Sequence, residues 1–152
     1  MRLLAIGKAP PRTPEMELFA RYAQRLRPPL ALVELAEGQG PAAESKRREG
    51  EALLTALRPD EFLVALDMEG EAPDSPGLAR LLAAWREQGR KPAFAIGGAE
   101  GLDAAVLARA GARLSLGRLT WPHMLARALL AEQLYRAQAI LAGHPYHRAG
   151  RP

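Results

Sequence analysis

The sequence predicts an α/β fold in which a mainly parallel sheet is flanked by helices. Short apolar runs alternate with longer helix-like segments, which is the order of strands and helices in parallel sheets. The run "AFAIGG" at 93–98 is apolar on both faces, as central strands covered by helices are. With 152 residues and no linker or repeat, the chain is predicted to form one domain, 1–152, that ends in a tail at 144–152.

The first half of the chain contains three predicted strands and two predicted helices. Thr13 is expected to cap the first helix, with Pro14 at its first position and carboxylates in its first turn. The second helix is predicted at 45–57, "SKRREGEALLTAL". The predicted strands are "RLLAIG" at 2–7, "LALVEL" at 30–35 and "FLVALD" at 62–67.

The second half continues the alternation. A helix within 72–89 is expected to be capped by Ser75 and to end at Gly89, because serine favours helix starts and glycine favours helix ends. Asp103 is expected to cap a short helix. The remaining strands are the central run at 93–98 and "ARLSLG" at 112–117.

A long final helix is predicted from Pro122 to Ala142, ending at Gly143. It is apolar around most of its circumference, which is more than one sheet face covers. We therefore expect a second covering surface, the same helix of a partner subunit, and hence a homodimer. The apolar residues that cover more than one face are Leu125, Leu129, Leu130, Leu134, Ile140 and Leu141.

Composition limits the classes of partner and chemistry. The 21 Lys and Arg residues against 17 Asp and Glu give a net charge of +4, which mildly favours a polyanionic partner such as nucleic acid or a membrane surface. The absence of cysteine excludes disulfides, thiolate catalysis and cysteine-ligated zinc. No signal-like segment and no apolar run of about 18 residues is present, so we expect a cytoplasmic protein with no membrane partner.

Three glycine-containing segments follow three predicted strands: "LDMEGE" at 66–71, "IGGAEG" at 96–101 and "LGRLTW" at 116–121. Because ligands bind at the carboxyl edge of parallel sheets, we expect these loops to form one site. Their glycines allow backbone groups to approach a ligand closely, and their leucines and tryptophan supply apolar walls. The order "GGAEG" differs from the dinucleotide fingerprint, which disfavours a nicotinamide enzyme.

Several single residues allow two interpretations. Glu100 is a candidate catalytic acid or base, but its place before a helix start favours a dipole interaction. Asp67, Glu69 and Glu71 resemble a cation site and equally a solvated turn, and we expect no metal. His123 begins the last helix, where a neutral and partly structural imidazole is favoured.

The tail motif "HPYHR" contains His144, Tyr146, His147 and Arg148. An aromatic ring that stacks on a base, next to cationic and proton-exchanging side chains, suits single-stranded or loop RNA. The alternative interpretation is a basic tail that only aids solubility.

These motifs together resemble a known family. "LDMEGE", "IGGAEGL", "LSLGRLTWPHMLARALLAEQLYRA" and "HPYHR" are similar, in order and spacing, to the SPOUT-class 23S ribosomal RNA (pseudouridine-N3)-methyltransferases, the ribosomal RNA large subunit methyltransferase H family. The resemblance covers nearly the whole chain. It implies a SPOUT-type fold with a C-terminal trefoil knot, a homodimer, and 23S rRNA in the ribosome or large subunit as partner.

The resemblance also implies S-adenosyl-L-methionine as cofactor, bound in a bent form by the knotted loops. Carried onto this sequence, the cofactor contacts are Leu66, Gly97, Gly98, Leu116, Gly117, Arg118, Leu119, Thr120 and Trp121. These positions coincide with the three glycine-containing segments. The expected reaction transfers a methyl group to N3 of a pseudouridine.

Roles for individual side chains follow from that chemistry. The target nitrogen becomes nucleophilic as its proton leaves, so His147 is a candidate base and Arg148 a candidate for stabilising charge on the ring oxygens. Tyr146 is better suited to stacking on the base or closing the pocket, while Arg118 and Arg136 are candidates for contacting RNA phosphates. Two alternatives remain: a SPOUT enzyme acting on transfer RNA or a ribose hydroxyl, and a non-catalytic RNA- or ribosome-binding module.

Overall fold

The computed structural model describes residues 1–10 and 12–148. Its five strands form one sheet in the order β2-β1-β4-β3-β5, and every neighbouring pair of named strands is parallel. The predicted parallel α/β architecture is therefore confirmed. The strands are β1 (Arg2–Ile6), β2 (Ala31–Leu35), β3 (Glu61–Glu71), β4 (Lys91–Ile96) and β5 (Ala112–Leu114).

Helices cover both faces of the sheet. Alternate residues of β1 point to opposite sides, so Leu3 joins one apolar core and Leu4 joins the other. The first core contains residues of α1, α3 and α5, and the second contains residues of α2 and α4. The helices are α1 (Pro14–Ala23), α2 (Ala42–Ala56), α3 (Ser75–Glu87), α4 (Ala104–Arg109) and α5 (His123–Leu141).

The segment predicted as the first site loop is part of a strand. β3 continues through 66–71 with a register shift, so that Leu66 and Glu71 both pair with Leu114. Gly70 permits this pairing because a Cβ there would lie 2.8 Å from the backbone of Leu114. The prediction of a loop at "LDMEGE" was wrong, and β5 is also shorter than predicted, ending at Leu114 instead of residue 117.

Helix ends were predicted with two errors, of which one is the start of α2, at Ala42 instead of residue 45. The Thr13 side chain accepts a hydrogen bond from the Met16 N–H at 3.4 Å, and the Asp103 side chain caps α4, as expected. The cap of α3 is Asp74, whose Oδ1 accepts from the Gly77 N–H at 2.6 Å. Ser75, the predicted cap, instead donates from Oγ to Oε1 of Gln133 at 2.8 Å. This partner is 58 residues away in sequence, so the bond could not be predicted from local signals.

Asp74→Ala should lower the free energy of unfolding by about 1 kcal/mol, because the first turn of α3 loses the acceptor for an otherwise unpaired N–H group. Asp74→Asn keeps a capping oxygen and should stay within about 0.5 kcal/mol of the wild type. Urea denaturation measures both values. Equal losses in the two variants would contradict the assignment of Asp74 as the cap.

Helix α5 packs on the sheet with α1 and α3 on either side of it. Leu130 and Leu134 are buried in the core that these helices share, whereas Leu141 is 44% exposed. Leu125 and Leu129 are only half-buried, so part of the apolar surface that suggested a partner subunit stays uncovered within this chain. The homodimer stays a prediction. Within the described ranges, 1–10 and 12–148, no helix is long and apolar enough to cross a membrane.

The carboxyl end of α5 is closed by a Schellman motif. Gly143 adopts a left-handed φ of 64°, and its N–H donates to the Ile140 carbonyl at 3.0 Å. The His144 N–H donates to the Ala139 carbonyl at 2.9 Å. The predicted stop at Gly143 is confirmed, and the motif fixes the direction in which the tail leaves the helix.

Arg127 joins α5 to the carboxyl ends of β1 and β2. Its side chain is 0% exposed and donates from Nη1 to Oε1 of Glu34 at 2.7 Å. Its Nη2 donates to the carbonyls of Ile6 and Gly7 at 2.9 and 2.7 Å. One guanidinium therefore links three elements at the edge of the sheet where the predicted site lies.

Candidate active site

A cavity of about 480 Å³ lies at the carboxyl edge of the sheet, where parallel sheets bind ligands. Its walls come from the end of β3, the turn after β4 and the segment after β5. The segments predicted from sequence are therefore brought together, although the first is strand instead of loop. The lining residues include the predicted cofactor contacts Leu66, Gly97, Gly98, Leu116, Gly117, Leu119, Thr120 and Trp121.

The turn after β4 is tightly packed. A Cβ on Gly97 would lie 2.6 Å from the backbone carbon of Gly101, so no side chain fits there without moving the turn. The Gly101 N–H donates to the Gly98 carbonyl at 3.1 Å, with Gly101 at a left-handed φ of 75°. This geometry leaves main-chain groups lining the cavity directly, which a ligand held by backbone hydrogen bonds requires.

Glu49 on α2 packs against this turn and was not predicted from the sequence. The residue is 6% exposed, and its Oε1 accepts from the Gly38 N–H at 2.9 Å. A Cβ on Gly98 would lie 2.7 Å from Oε2 of Glu49. The glutamate sits in a charged helical segment and has no local signal that separates it from the solvated glutamates around it.

The segment after β5 is shaped by Ser115. Its Oγ donates to the Gly117 carbonyl at 3.0 Å and accepts from the Gly117 N–H at 3.2 Å. Gly117 has a φ of 105°, which side chains disfavour. A serine two residues before a glycine is a known turn signal, so Ser115 could have been identified from the sequence.

The rim of the cavity is apolar and open. Leu119 and Trp121 are 69% and 37% exposed, and Trp121 Nε1 donates to the Leu116 carbonyl at 3.4 Å. Large apolar side chains beside an open cavity suit a ligand that covers them. Arg118, also predicted as a cofactor contact, is exposed but does not line the cavity.

The tail residues lie elsewhere. His144, Tyr146, His147 and Arg148 do not line the cavity, and neither does Arg136. The tail instead folds back along α5, where the Tyr146 hydroxyl contacts Tyr22 and Glu132. The structure thus separates the predicted catalytic and RNA-binding residues from the predicted cofactor site of the same chain.

The surroundings of Tyr146 determine the protonation state of its hydroxyl. Burial, followed by hydrogen bonds to Tyr22 and Glu132, raises the pKa of Tyr146 well above that of an ordinary phenol. Its hydroxyl is therefore a donor at neutral pH. The hydrogen bond to Glu132 raises the pKa of Arg136. The Nδ1 atom of His147 is buried and has no hydrogen-bond partner within the described part of the chain.

The candidate cation site shows no cluster of ligands. Asp67 lies 3.8 Å from the guanidinium of Arg113, and its Oδ1 accepts from the Glu69 N–H at 3.4 Å. Across residues 1–10 and 12–148, no group of three or more His, Asp or Glu side chains is placed to hold a metal ion.

Comparison with known proteins identifies the class. The family model described as "Predicted SPOUT methyltransferase" matches residues 1–147. The chain therefore belongs to the SPOUT methyltransferases and is an enzyme of methyl transfer. A solved structure of a probable methylase family protein from Haemophilus influenzae Rd KW20 has the same fold, with a TM-score of 0.57, 13% identity, and coverage of 99% of this chain and 71% of that one.

Close relatives carry one particular name, "Ribosomal RNA large subunit methyltransferase H". The protein of this name from Gluconacetobacter diazotrophicus is 62% identical over 152 residues, covering 100% of this chain and 99% of its own. That from Acidiphilium cryptum is 58% identical, covering 100% and 96%. That from Rhodospirillum rubrum is 55% identical over 138 residues, covering 90% and 91%. The family resemblance found in the sequence is confirmed, while the knot stays a prediction.

Proposed function

We propose that this protein transfers a methyl group from S-adenosyl-L-methionine to N3 of a pseudouridine in 23S rRNA, within the large ribosomal subunit or the assembled ribosome. The observation that carries the proposal is a cavity at the carboxyl edge that is lined by eight of the nine predicted cofactor contacts. Relatives named for ribosomal RNA large subunit methylation, up to 62% identical over the full chain, support the choice of RNA. A cytoplasmic location follows from that substrate.

The residues of the cavity fit S-adenosyl-L-methionine. The tight turn at Gly97 and Gly98 offers main-chain groups to the polar parts of the cofactor. Leu119 and Trp121 offer apolar cover. Asp67 also lines the cavity, where a carboxylate favours a cationic ligand.

S-adenosyl-L-methionine supplies an activated methyl group, so transfer to a nitrogen requires no protein nucleophile. The protein contributes position, proton removal and charge stabilisation. His147 is the side chain that we assign to accept the proton from N3, because an imidazole exchanges protons near neutral pH. Arg148 stabilises the negative charge that develops on the ring oxygens, and Tyr146 keeps its proton and positions the tail.

The separation of tail and cavity supports a homodimer with composite sites. The described tail residues lie along α5 of their own chain and away from its cavity. In a dimer, the tail of one subunit then completes the cavity of the other. Arg136 and Arg118 contact phosphates beside that composite site.

Mixed dimers test this arrangement. One subunit lacks residues 144–152 and the other carries Gly97→Ala, so neither homodimer should show more than weak activity at a cofactor concentration well below the Kd of the Gly97→Ala site. In the mixture, the tail of the second subunit meets the intact cavity of the first, and activity should return toward one site in each mixed dimer. No activity in a mixture that size-exclusion and mass analysis show to contain mixed dimers would overturn the composite site.

The overall proposal is tested by locating the methyl group. Purified protein, labelled S-adenosyl-L-methionine and ribosomes that lack the modification should give label on one pseudouridine of 23S rRNA. Label on another base, on a ribose or on transfer RNA would overturn the assignment and support a SPOUT enzyme of different specificity. Removing residues 144–152 should abolish transfer while leaving cofactor affinity within about a factor of two.

Calorimetric titration separates an enzyme from a non-catalytic RNA- or ribosome-binding module. The proposed enzyme should bind S-adenosyl-L-methionine with one site for each chain. A folded protein that releases no heat and shows no binding by equilibrium dialysis would favour the silent module.

A further inference from the structure

One face of α5 carries polar side chains that form a hydrogen-bonded network and do not line the cavity. We call it the Glu132 cluster. Its hydrogen bonds connect the start of α3, the middle of α5, helix α1 and the tail. Its members are Ser75, Gln133, Glu132, Arg136, Tyr22 and Tyr146.

Glu132 is the central acceptor of this cluster. Its Oε1 accepts from the Tyr146 hydroxyl at 2.9 Å and from Arg136 Nε at 3.0 Å and Nη2 at 2.5 Å. Its Oε2 accepts from Gln133 Nε2 at 2.7 Å. The side chain of Glu132 is only 17% exposed, so the carboxylate relies on these donors instead of water.

The Tyr146 ring is held as firmly as its hydroxyl. It packs edge-on against the ring of Tyr135, with centroids 4.9 Å apart, and the Arg136 guanidinium lies 4.9 Å from its centroid. Within the described residues, the two bonds of the Tyr146 hydroxyl are the side-chain hydrogen bonds that join 144–148 to the rest of the chain. Beyond the backbone bond of His144 to α5, the position of the tail therefore depends on this side chain.

We propose that Glu132 is a positioning residue for methyl transfer, acting by holding Tyr146 and so fixing the direction in which His147 and Arg148 are presented. The inference rests on the proposed function, because it assigns Glu132 a role only if the tail takes part in the reaction. Arg136 contacts both Glu132 and Tyr146. Its ion pair with Glu132 orients it, and its guanidinium lies over the ring of Tyr146. A tail released from Glu132 has many more orientations and meets the target base less often.

Kinetics of four variants test the role. Glu132→Ala and Tyr146→Phe should each lower kcat at least tenfold, with the Kd for S-adenosyl-L-methionine within about twofold of wild type. Glu132→Gln should lose less, because its amide oxygen still accepts from the Tyr146 hydroxyl while the ion pair to Arg136 is gone. The double variant with Glu132→Ala and Tyr146→Phe should be no worse than the poorer single variant. Each change already removes the same hydrogen bond, between Tyr146 and Glu132.

The matched control is Glu87→Ala, which removes an exposed carboxylate from the last turn of α3. It should keep wild-type kcat. Wild-type kcat in Glu132→Ala, or losses that multiply in the double variant, would overturn the inference. An altered Kd for the cofactor in Glu132→Ala would also overturn it, because that result indicates a general structural role.

A readout independent of methyl transfer follows the tail itself. The chain has no cysteine, so Pro145→Cys provides a single labelling site for a spin label in the tail. Glu132→Ala should increase the mobility of that label, and Glu87→Ala should not. Unchanged mobility overturns the inference. A wild-type protein that transfers no methyl group would instead overturn the proposed function, while the label still shows whether Glu132 holds the tail.

Discussion

Arg127→Met is expected to lower the free energy of unfolding by about 3 kcal/mol, because a buried donor of two buried carbonyls and of the partly exposed Glu34 is lost. The guanidinium is 0% exposed and donates to Glu34 and to the carbonyls of Ile6 and Gly7. Methionine fills much of the volume but donates no hydrogen bond, so two buried carbonyls lose their donor. The Glu34 carboxylate also loses its cation.

Chemical denaturation monitored by tryptophan fluorescence measures this loss, with Arg80→Met as the control. Arg80 is an exposed arginine on α3 and its replacement should change stability by less than about 0.5 kcal/mol. A loss below about 1 kcal/mol in Arg127→Met would contradict the importance of the buried contacts.

Gly97→Ala is expected to weaken binding of S-adenosyl-L-methionine at least tenfold, which corresponds to about 1.4 kcal/mol. The added Cβ would lie 2.6 Å from the carbonyl carbon and 2.7 Å from the oxygen of Gly101. Those are backbone atoms, so the whole turn has to shift, and the turn is a wall of the cavity. Isothermal titration calorimetry measures the change.

Two further variants calibrate the result. Gly98→Ala meets side-chain atoms of Glu49 instead of backbone and should weaken binding less than Gly97→Ala does. Gly89→Ala introduces an alanine at a left-handed φ of 67° with no atom within 4 Å, so it should cost about 1 kcal/mol of stability and leave cofactor affinity unchanged. Cofactor affinity within twofold of wild type in a folded Gly97→Ala protein would contradict the assigned site.

The sequence was informative where the physics is local. Apolar runs such as 93–96 identified strands, and Gly143 identified the end of α5, because both signals lie within a few residues. The cavity was also predictable, since parallel strands bring their following segments to one edge. The expectation at 66–71 failed because acidic residues and a glycine look like a turn, whereas the close approach of Gly70 to β5 is a tertiary contact.

Contacts between distant residues account for the rest. Nothing near Tyr146 indicates that its hydroxyl meets Tyr22, which is 124 positions away. Likewise Arg127 and Glu34 are 93 residues apart, and each by itself resembles a solvated charge. The sequence also does not distinguish Asp74 from Ser75 as the cap of α3, because both residue types cap helices. The difference arises from the partner of Ser75, which lies on α5.

Because of the Schellman motif at Gly143, the length of α5 determines where the tail begins. The motif ties the backbone of His144 to the last turn, so the tail starts at a fixed height and angle relative to Glu132. One residue inserted between them would advance the tail by about 1.5 Å and rotate it by about 100°. The number of residues between Glu132 and His144 is therefore as constrained as their side chains. During evolution of this enzyme we expect substitutions in this segment and insertions only elsewhere in the chain.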